Sequence, residues 1–276
     1  MGKRANYIKR IEINGLWDKY NIVWNLCPDV NILSGINGVG KTTILNRSVN
    51  FLEQHSGEAK SDLASNIHLY FDDPDATFIV YDFIRSYDRP LVQGDFTARM
   101  ADRNVKSELD WQIYLLQRRY LDYQVNIGNR MIEMLASDND EDRQKAADIS
   151  RRKKVFQDLM DDLFSYTNKK IARKRNDIAF YQGDELLLPY KLSSGEKQIL
   201  LILLTALVED NQHCVLFMDE PEASLHIEWQ QKLIGMILKL NPNAQIILTT
   251  HSPAVIMEGW IDKVTEVSDI TTNIQK

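Results

Sequence analysis

The chain has 276 residues, enough for one large domain or for one domain carrying an insertion. With 44% hydrophobic residues, 26% charged residues and a net charge of −6, it reads as an ordinary globular protein. That balance excludes nucleic-acid binding through overall charge, although a local basic cluster can still hold a phosphate backbone. Cys27 and Cys214 lie far apart without C-x-x-C spacing, the start MGKRANYIKRIEI has no apolar signal core, and no apolar run is long enough to span a bilayer. These features predict a reducing, cytoplasmic setting without a membrane span.

In chain order, residues 7 to 33 read as strands, with Ile8, Ile11 and Ile13 alternating imperfectly and Ile22-Val23-Trp24 opening a second run. Asn31-Ile32-Leu33-Ser34 reads as a short buried strand and Thr42 to Phe51 as a helix. Between them stands Gly35-Ile36-Asn37-Gly38-Val39-Gly40-Lys41-Thr42, a complete G-x-x-x-x-G-K-T. Gly35, Gly38 and Gly40 let backbone N–H groups turn toward phosphate oxygens. Lys41 can set an ammonium on the β- and γ-phosphates, and the Thr42 hydroxyl can ligate Mg²⁺. The helix N-terminus adds partial positive charge there. Residues 52 to 76 are polar and unassigned, and Thr77-Phe78-Ile79-Val80-Tyr81 reads as a strand.

From Val105 to Asn176 the character changes. There is no proline and a single glycine, Gly128. Ile113, Tyr120, Ile127 and Met134 recur every seven residues, with Tyr114, Leu121 and Leu135 beside them. After the polar break 136–140, Phe156, Leu159, Met160, Leu163 and Phe164 mark a second helix. The two stripes are expected to pack on each other as a helical hairpin. Basic clusters, Arg151-Arg152-Lys153-Lys154 and Lys169-Lys170 with Arg173-Lys174-Arg175, flank the second helix. A solvated helix face and sequence-independent nucleic-acid contact both fit them.

Further on, 179–181 and 186–188 read as paired strands around Gln182-Gly183-Asp184. Leu192-Ser193-Ser194-Gly195-Glu196 opens an apolar helix through Val208; the turn serves as a simple N-cap or as an anion site. Val215-Leu216-Phe217-Met218-Asp219-Glu220 is a buried strand ending in two acids, which places the carboxylates at the ligand-binding edge of a parallel sheet. There Asp219 would hold Mg²⁺ and Glu220 would act as base or orient water. Ile227 to Leu240 reads as a helix, and Ile246-Ile247-Leu248 as another buried strand that leads to His251.

Five runs in this order carry a resemblance: the glycine-rich loop, Leu192 to Glu196, Asp219-Glu220-Pro221-Glu222, Ala223-Ser224-Leu225-His226 and Thr249-Thr250-His251-Ser252-Pro253. The chain resembles ABC-type ATPase heads over residues 7–50 and 178–256. Glu196 and Asp-Glu-Pro-Glu set it apart from transporter motors. They are similar to the RecF, SMC and OLD group and to ATPase subunits of Septu-type and retron-associated anti-phage systems. The resemblance implies an α/β P-loop NTPase with a mixed sheet, residues 105–176 being a helical insertion between core parts 1–104 and 177–276.

It further implies ATP and Mg²⁺, held by Gly35, Asn37, Gly38, Gly40, Lys41, Thr42 and Thr43, with Asp219 and a glutamine-loop residue on the metal. Gln93 is the candidate for that loop and Gln182 the runner-up. Glu220 and His251 would be catalytic. Ser193 and Gly195 would reach the γ-phosphate of a partner copy in a homodimeric ATP sandwich. The implied role is a switch controlling a separate protein effector in anti-phage defence; the alternative is a DNA-repair or chromosome-maintenance ATPase acting on DNA. The residues after His251 hold no acidic metal cluster, so any nuclease activity is expected on another chain. The sequence assigns no adenine-stacking aromatic.

Overall fold

A computed structural model describes residues 2–55, 66–86, 90–91, 104–137 and 139–274. Its strands are β1 (Lys3–Arg4), β2 (Ile8–Leu16), β3 (Tyr20–Asn25), β4 (Val30–Ser34), β5 (Ile67–Phe71), β6 (Ala76–Phe78) and β7 (Tyr81–Arg85), then β8 (Lys169–Ile171), β9 (Phe180–Gln182), β10 (Glu185–Leu187), β11 (Cys214–Asp219), β12 (Ala244–Thr249), β13 (Val264–Glu266) and β14 (Thr271–Asn273). Its α-helices are α1 (Lys41–Gln54), α2 (Glu108–Ala136), α3 (Asp140–Leu163), α4 (Ser194–Val208), α5 (Ile227–Leu240) and α6 (Pro253–Met257).

The centre is a five-stranded parallel sheet in the order β13-β4-β12-β11-β7. Its inner strands β11 and β12 are buried along their whole length. This is why they read as unbroken apolar runs: both faces are covered. Alternate residues supply two separate cores. Leu33, Val215, Phe217 and Ile247 join α1 and the antiparallel sheet β14-β3-β2-β5, while Ile32, Leu216, Met218, Ile246 and Leu248 join α2, α3, α4 and α5. Helix α4 lies inside the second core, so its apolar character on all sides is what its position demands.

The helical stripes differ from expectation in their partner. Ile113, Tyr120 and Ile127 of α2 and Phe156 and Met160 of α3 do meet, but they share one core with the leucines and isoleucines of α4. The hairpin therefore has no hydrophobic interior of its own. Its helices are locally well specified: Ser107 and Asp110 form a reciprocal capping box on α2, and Asn139 caps α3. Ion pairs add to the seam, with Lys197 of α4 2.8 Å from Asp110.

The 77–81 strand is split. Ala76–Phe78 pairs with β1, whereas Tyr81–Arg85 enters the parallel sheet beside β11. The unassigned 52–76 region contains β5, whose Ile67, Leu69 and Phe71 face the core while His68 and Tyr70 point away. A third strand, β8, joins the predicted β9–β10 pair from within a stretch read as basic. Among the described residues no helix is long and apolar enough to cross a membrane.

Candidate nucleotide site

The loop between β4 and α1 lies at the carboxyl edge of the parallel sheet, where β11 and β12 also end. Gly40 is the N-cap of α1, with φ 107° and no side-chain cap, so the first N–H groups of the helix are left for an anion. Only glycine fits there. A Cβ would lie 2.7 Å from the indole of Trp17, and the positive φ penalises any other residue.

Lys41 is buried, and its Nζ donates to the carbonyls of Gly35 (2.8 Å) and Ile36 (3.3 Å). It also lies 3.3 Å from His251 Nδ1. Burial lowers the Lys41 pKa, against the pull of Glu220, Asp219 and Glu222. Thr42 Oγ1 donates to Asp219 Oδ1 at 3.0 Å, and Thr249 Oγ1 to the same oxygen at 2.6 Å. A hydroxyl and a carboxylate are the hard oxygens Mg²⁺ prefers, so this donor set fits the implied metal.

Glu220 has φ 47°, a left-handed conformation that costs a non-glycine residue about 1–3 kcal/mol. It is fixed by its N–H, which donates to Thr249 Oγ1 (3.0 Å) and Thr249 O (3.2 Å). The twist sends its carboxylate to His251, with Oε1 2.5 Å from Nε2. Behind them, the buried Glu222 accepts from the Thr250 hydroxyl and from His251 N–H (3.1 Å). Burial raises the Glu222 pKa, only partly offset by those donors. Gln230 ties the same segments together: Nε2 donates to Leu225 O (2.9 Å) and Oε1 accepts from Ser252 Oγ (2.6 Å).

A cleft of about 520 Å³ is lined by Trp17, Asn37, Gly38, Gly40, Lys41, Thr42, Thr43, Glu220 and His251. Eight of these nine were expected from sequence. Trp17 was not. It sits at φ 54° in the β2–β3 turn, is 44% exposed and stacks edge-on with Tyr20 at 6.3 Å. Its only sequence signal is an aromatic in the Gly-Leu-Trp-Asp turn. A second cleft of about 560 Å³, lined by Arg10, His68, Tyr70 and Asp72 among others, contains none of the expected site residues.

Ser193 and Gly195 do not line the cleft of their own chain. Ser193 caps α4 in a reciprocal box with Glu196: Glu196 N–H donates to Ser193 Oγ (3.3 Å), and Ser193 N–H to Glu196 Oε2 (3.0 Å). Burial opposes the charge of Glu196, but Lys169 at 2.8 Å, Ser193 N–H and Thr167 hold its pKa below the usual range. Gly195 is a point of close approach, since a Cβ there would lie 2.3 Å from the backbone oxygen of Ser224. The runs 192–196 and 223–226 of one chain thus touch. Ser86 is another unforeseen participant: its Oγ donates to Asp219 O (2.8 Å) and accepts from Gln198 Nε2 (3.1 Å).

Gln93 lies outside the described residues. Gln182 donates to Thr167 O at 2.9 Å and is absent from the cleft lining. The basic clusters are partly neutralised. Arg173 pairs with Asp158 (2.7 Å) and Asp161 (2.5 Å), Arg175 with Asp177 (2.7 Å), and Arg152 with Asp210 (3.4 Å).

The chain is similar to several known proteins. A retron Vc95 probable ATPase of Vibrio cholerae serotype O1 biovar El Tor is 26% identical over 61% of this chain, which spans 35% of that protein. Septu protein PtuA of Bacillus thuringiensis is 24% identical over 93% of the chain and 74% of its own length. An SMC head bound to the C-terminal winged-helix domain of ScpA superposes with a TM-score of 0.51 at 12% identity, over 91% of both chains. That likeness assigns the fold, an α/β P-loop NTPase of the ABC-ATPase type. A model described as "AAA domain, putative AbiEii toxin, Type IV TA system" matches residues 30–258, and the chain belongs to this AAA family.

Proposed function

We propose that the chain binds MgATP in the cleft and hydrolyses it, as a switch that closes two copies around nucleotide and controls a separate effector in anti-phage defence. The observation that carries this reading is the triad Lys41–His251–Glu220, with His251 bonded to both other side chains beside the glycine-rich loop. In the bound state Lys41 exchanges its backbone carbonyls for phosphate oxygens. Thr42 and Asp219 would hold Mg²⁺, which would supply neutralising charge for the phosphates. Glu220 accepts the proton of the attacking water, and His251 fixes the carboxylate. Trp17 offers its exposed indole face to the base. Residues 105–176 serve as an insertion free for partner choice between core parts 1–104 and 177–276.

The relatives named for retron and Septu systems support the defence reading. Two experiments test the mechanism. Lys41→Ala abolishes ATP binding, whereas Glu220→Gln binds ATP but does not turn it over; normal hydrolysis by Glu220→Gln removes the assignment. Ser193→Arg and Lys41→Ala chains, each inactive alone, recover activity when mixed, because one site of the mixed dimer keeps both halves. Normal turnover by isolated Ser193→Arg monomers overturns the shared site.

A further inference from the structure

Helix α2 has a second apolar stripe that none of the described residues covers. Leu121, Val125, Ile132 and Leu135 are 41%, 60%, 67% and 55% exposed. With Gly128 they follow the 4-3-4-3 spacing of a coiled-coil seam, roughly a third of a turn from the buried stripe of Ile113, Tyr120 and Ile127. Single exposed leucines need no explanation, but a continuous row of this spacing does.

The glycine at the centre of the row is a second, independent sign. Gly128 stands deep inside a 29-residue helix. Only proline is a poorer helix residue. Among the described residues nothing requires it, since an added Cβ would meet none of their atoms within 4 Å. A glycine that no described neighbour crowds, in the middle of an exposed seam, fits close approach by a second molecule.

We infer that this stripe is the contact between two copies of the chain, paired antiparallel through their α2 helices. The order of residues selects both the occupant and the direction. Antiparallel pairing sets Leu121 against the Ile132 position of the second copy and Val125 against its Gly128. Each valine then fills the gap that glycine leaves. Parallel pairing would set glycine on glycine and leave a void at the centre, which close packing disfavours. The flanks agree. Asp122 comes opposite an asparagine at position 129, and Leu115, 43% exposed, opposite Ala136, so no like charges face each other. At each end Arg118, stacked over Tyr114 at 5.2 Å, lays its stem along position 135. A stripe that complements itself across a two-fold axis needs no other partner.

This contact lies apart from the nucleotide cleft and requires no ATP. Sedimentation equilibrium of the full chain without nucleotide, up to high micromolar concentration, should show a dimer. Gly128→Leu should keep the fold, because its Cβ enters open space, and yet weaken the dimer about tenfold or more by overfilling the valine layer. Val125→Glu with Ile132→Glu should leave a monomer with an unchanged circular-dichroism spectrum. For register, chains carrying Cys27→Ser, which removes the exposed native thiol, are given either Leu121→Cys or Ile132→Cys. The mixture should form an interchain disulfide that neither variant forms alone. A wild-type chain that stays monomeric, a Gly128→Leu chain that dimerises as wild type, or a Leu121→Cys chain that cross-links to itself would overturn the inference.

Discussion

The cleft edge of the parallel sheet and the outer face of α2 are built on opposite logic. At the cleft nearly every polar group has a partner, and one backbone position, Glu220, is held in a costly conformation by two hydrogen bonds from its N–H. On the outer face of α2 the secondary structure is unstrained and the apolar side chains have no cover among the described residues. Fixed polar groups with stored strain suit chemistry on a small ligand, because nothing needs to reorganise when charge develops. A regular helix with bare apolar residues suits association, which gains from removing that surface from water.

The largest expected effect lies at the cleft. Glu220→Gln keeps the shape and loses the proposed base, so steady-state phosphate release should fall about 10²–10⁴-fold while nucleotide affinity changes little. A loss confined to affinity would make Glu220 a structural residue like those of the helix seam. Gly195→Ala tests the joint between the regions. Its Cβ would press on the Ser224 carbonyl, so thermal or chemical denaturation should show about 1–3 kcal/mol of lost stability. A neutral result would mean that α4 and the Ser224 loop move apart freely.

A subtler contrast comes from the far end of the sheet, where Arg119 of α2 pairs with Asp82 of β7 and with Glu209 after α4. Burial, with repulsion from Asp82, pushes the Glu209 pKa up to about 7 despite Arg119. The folded chain therefore keeps a proton there that the unfolded chain releases near 4.5. Stability from this group is full below pH 4.5 and is lost as pH rises to about 7. Glu209→Gln should flatten that part of the stability–pH curve; an unchanged curve would show that Arg119 already keeps the carboxylate charged. The smallest effect belongs to the helix face. In a chain held monomeric by Val125→Glu with Ile132→Glu, Gly128→Ala should raise stability by about 0.5–1 kcal/mol, the cost of glycine inside a helix.

The cleft was legible because its parts are contiguous runs whose chemistry is local: the glycine-rich loop, the apolar strand ending in Asp219 and Glu220, and the strand before His251. Trp17 and Ser86 were not, because only the folding of a hairpin over the loop and the pairing of β7 with β11 bring them to the site. The ion-pair partners of the basic clusters were hidden for the same reason. Arg152 meets its acid far along the chain, at Asp210, and Arg173 meets Asp158 and Asp161 across the turn into β8. Charge reversal aimed at nucleic acid should therefore use Lys170 and Lys174, not the paired arginines. The α2 spacing was visible, but a seven-residue repeat could not say that one stripe is shared with α4 and the other left bare.

Strand β4, which delivers the glycine-rich loop, is hydrogen-bonded on one side to β12 and on the other to β13, and β14 closes on β3. During synthesis the loop's own residues emerge well before β12 and β13, the two strands that fix its position. A ribosome-bound chain stopped before β12 would expose the motif without the frame that shapes it. The proposed nucleotide site is thus framed only once β12 and β13 have paired, and a chain that has not reached them leaves apolar strand surface bare, the kind of surface that aggregates.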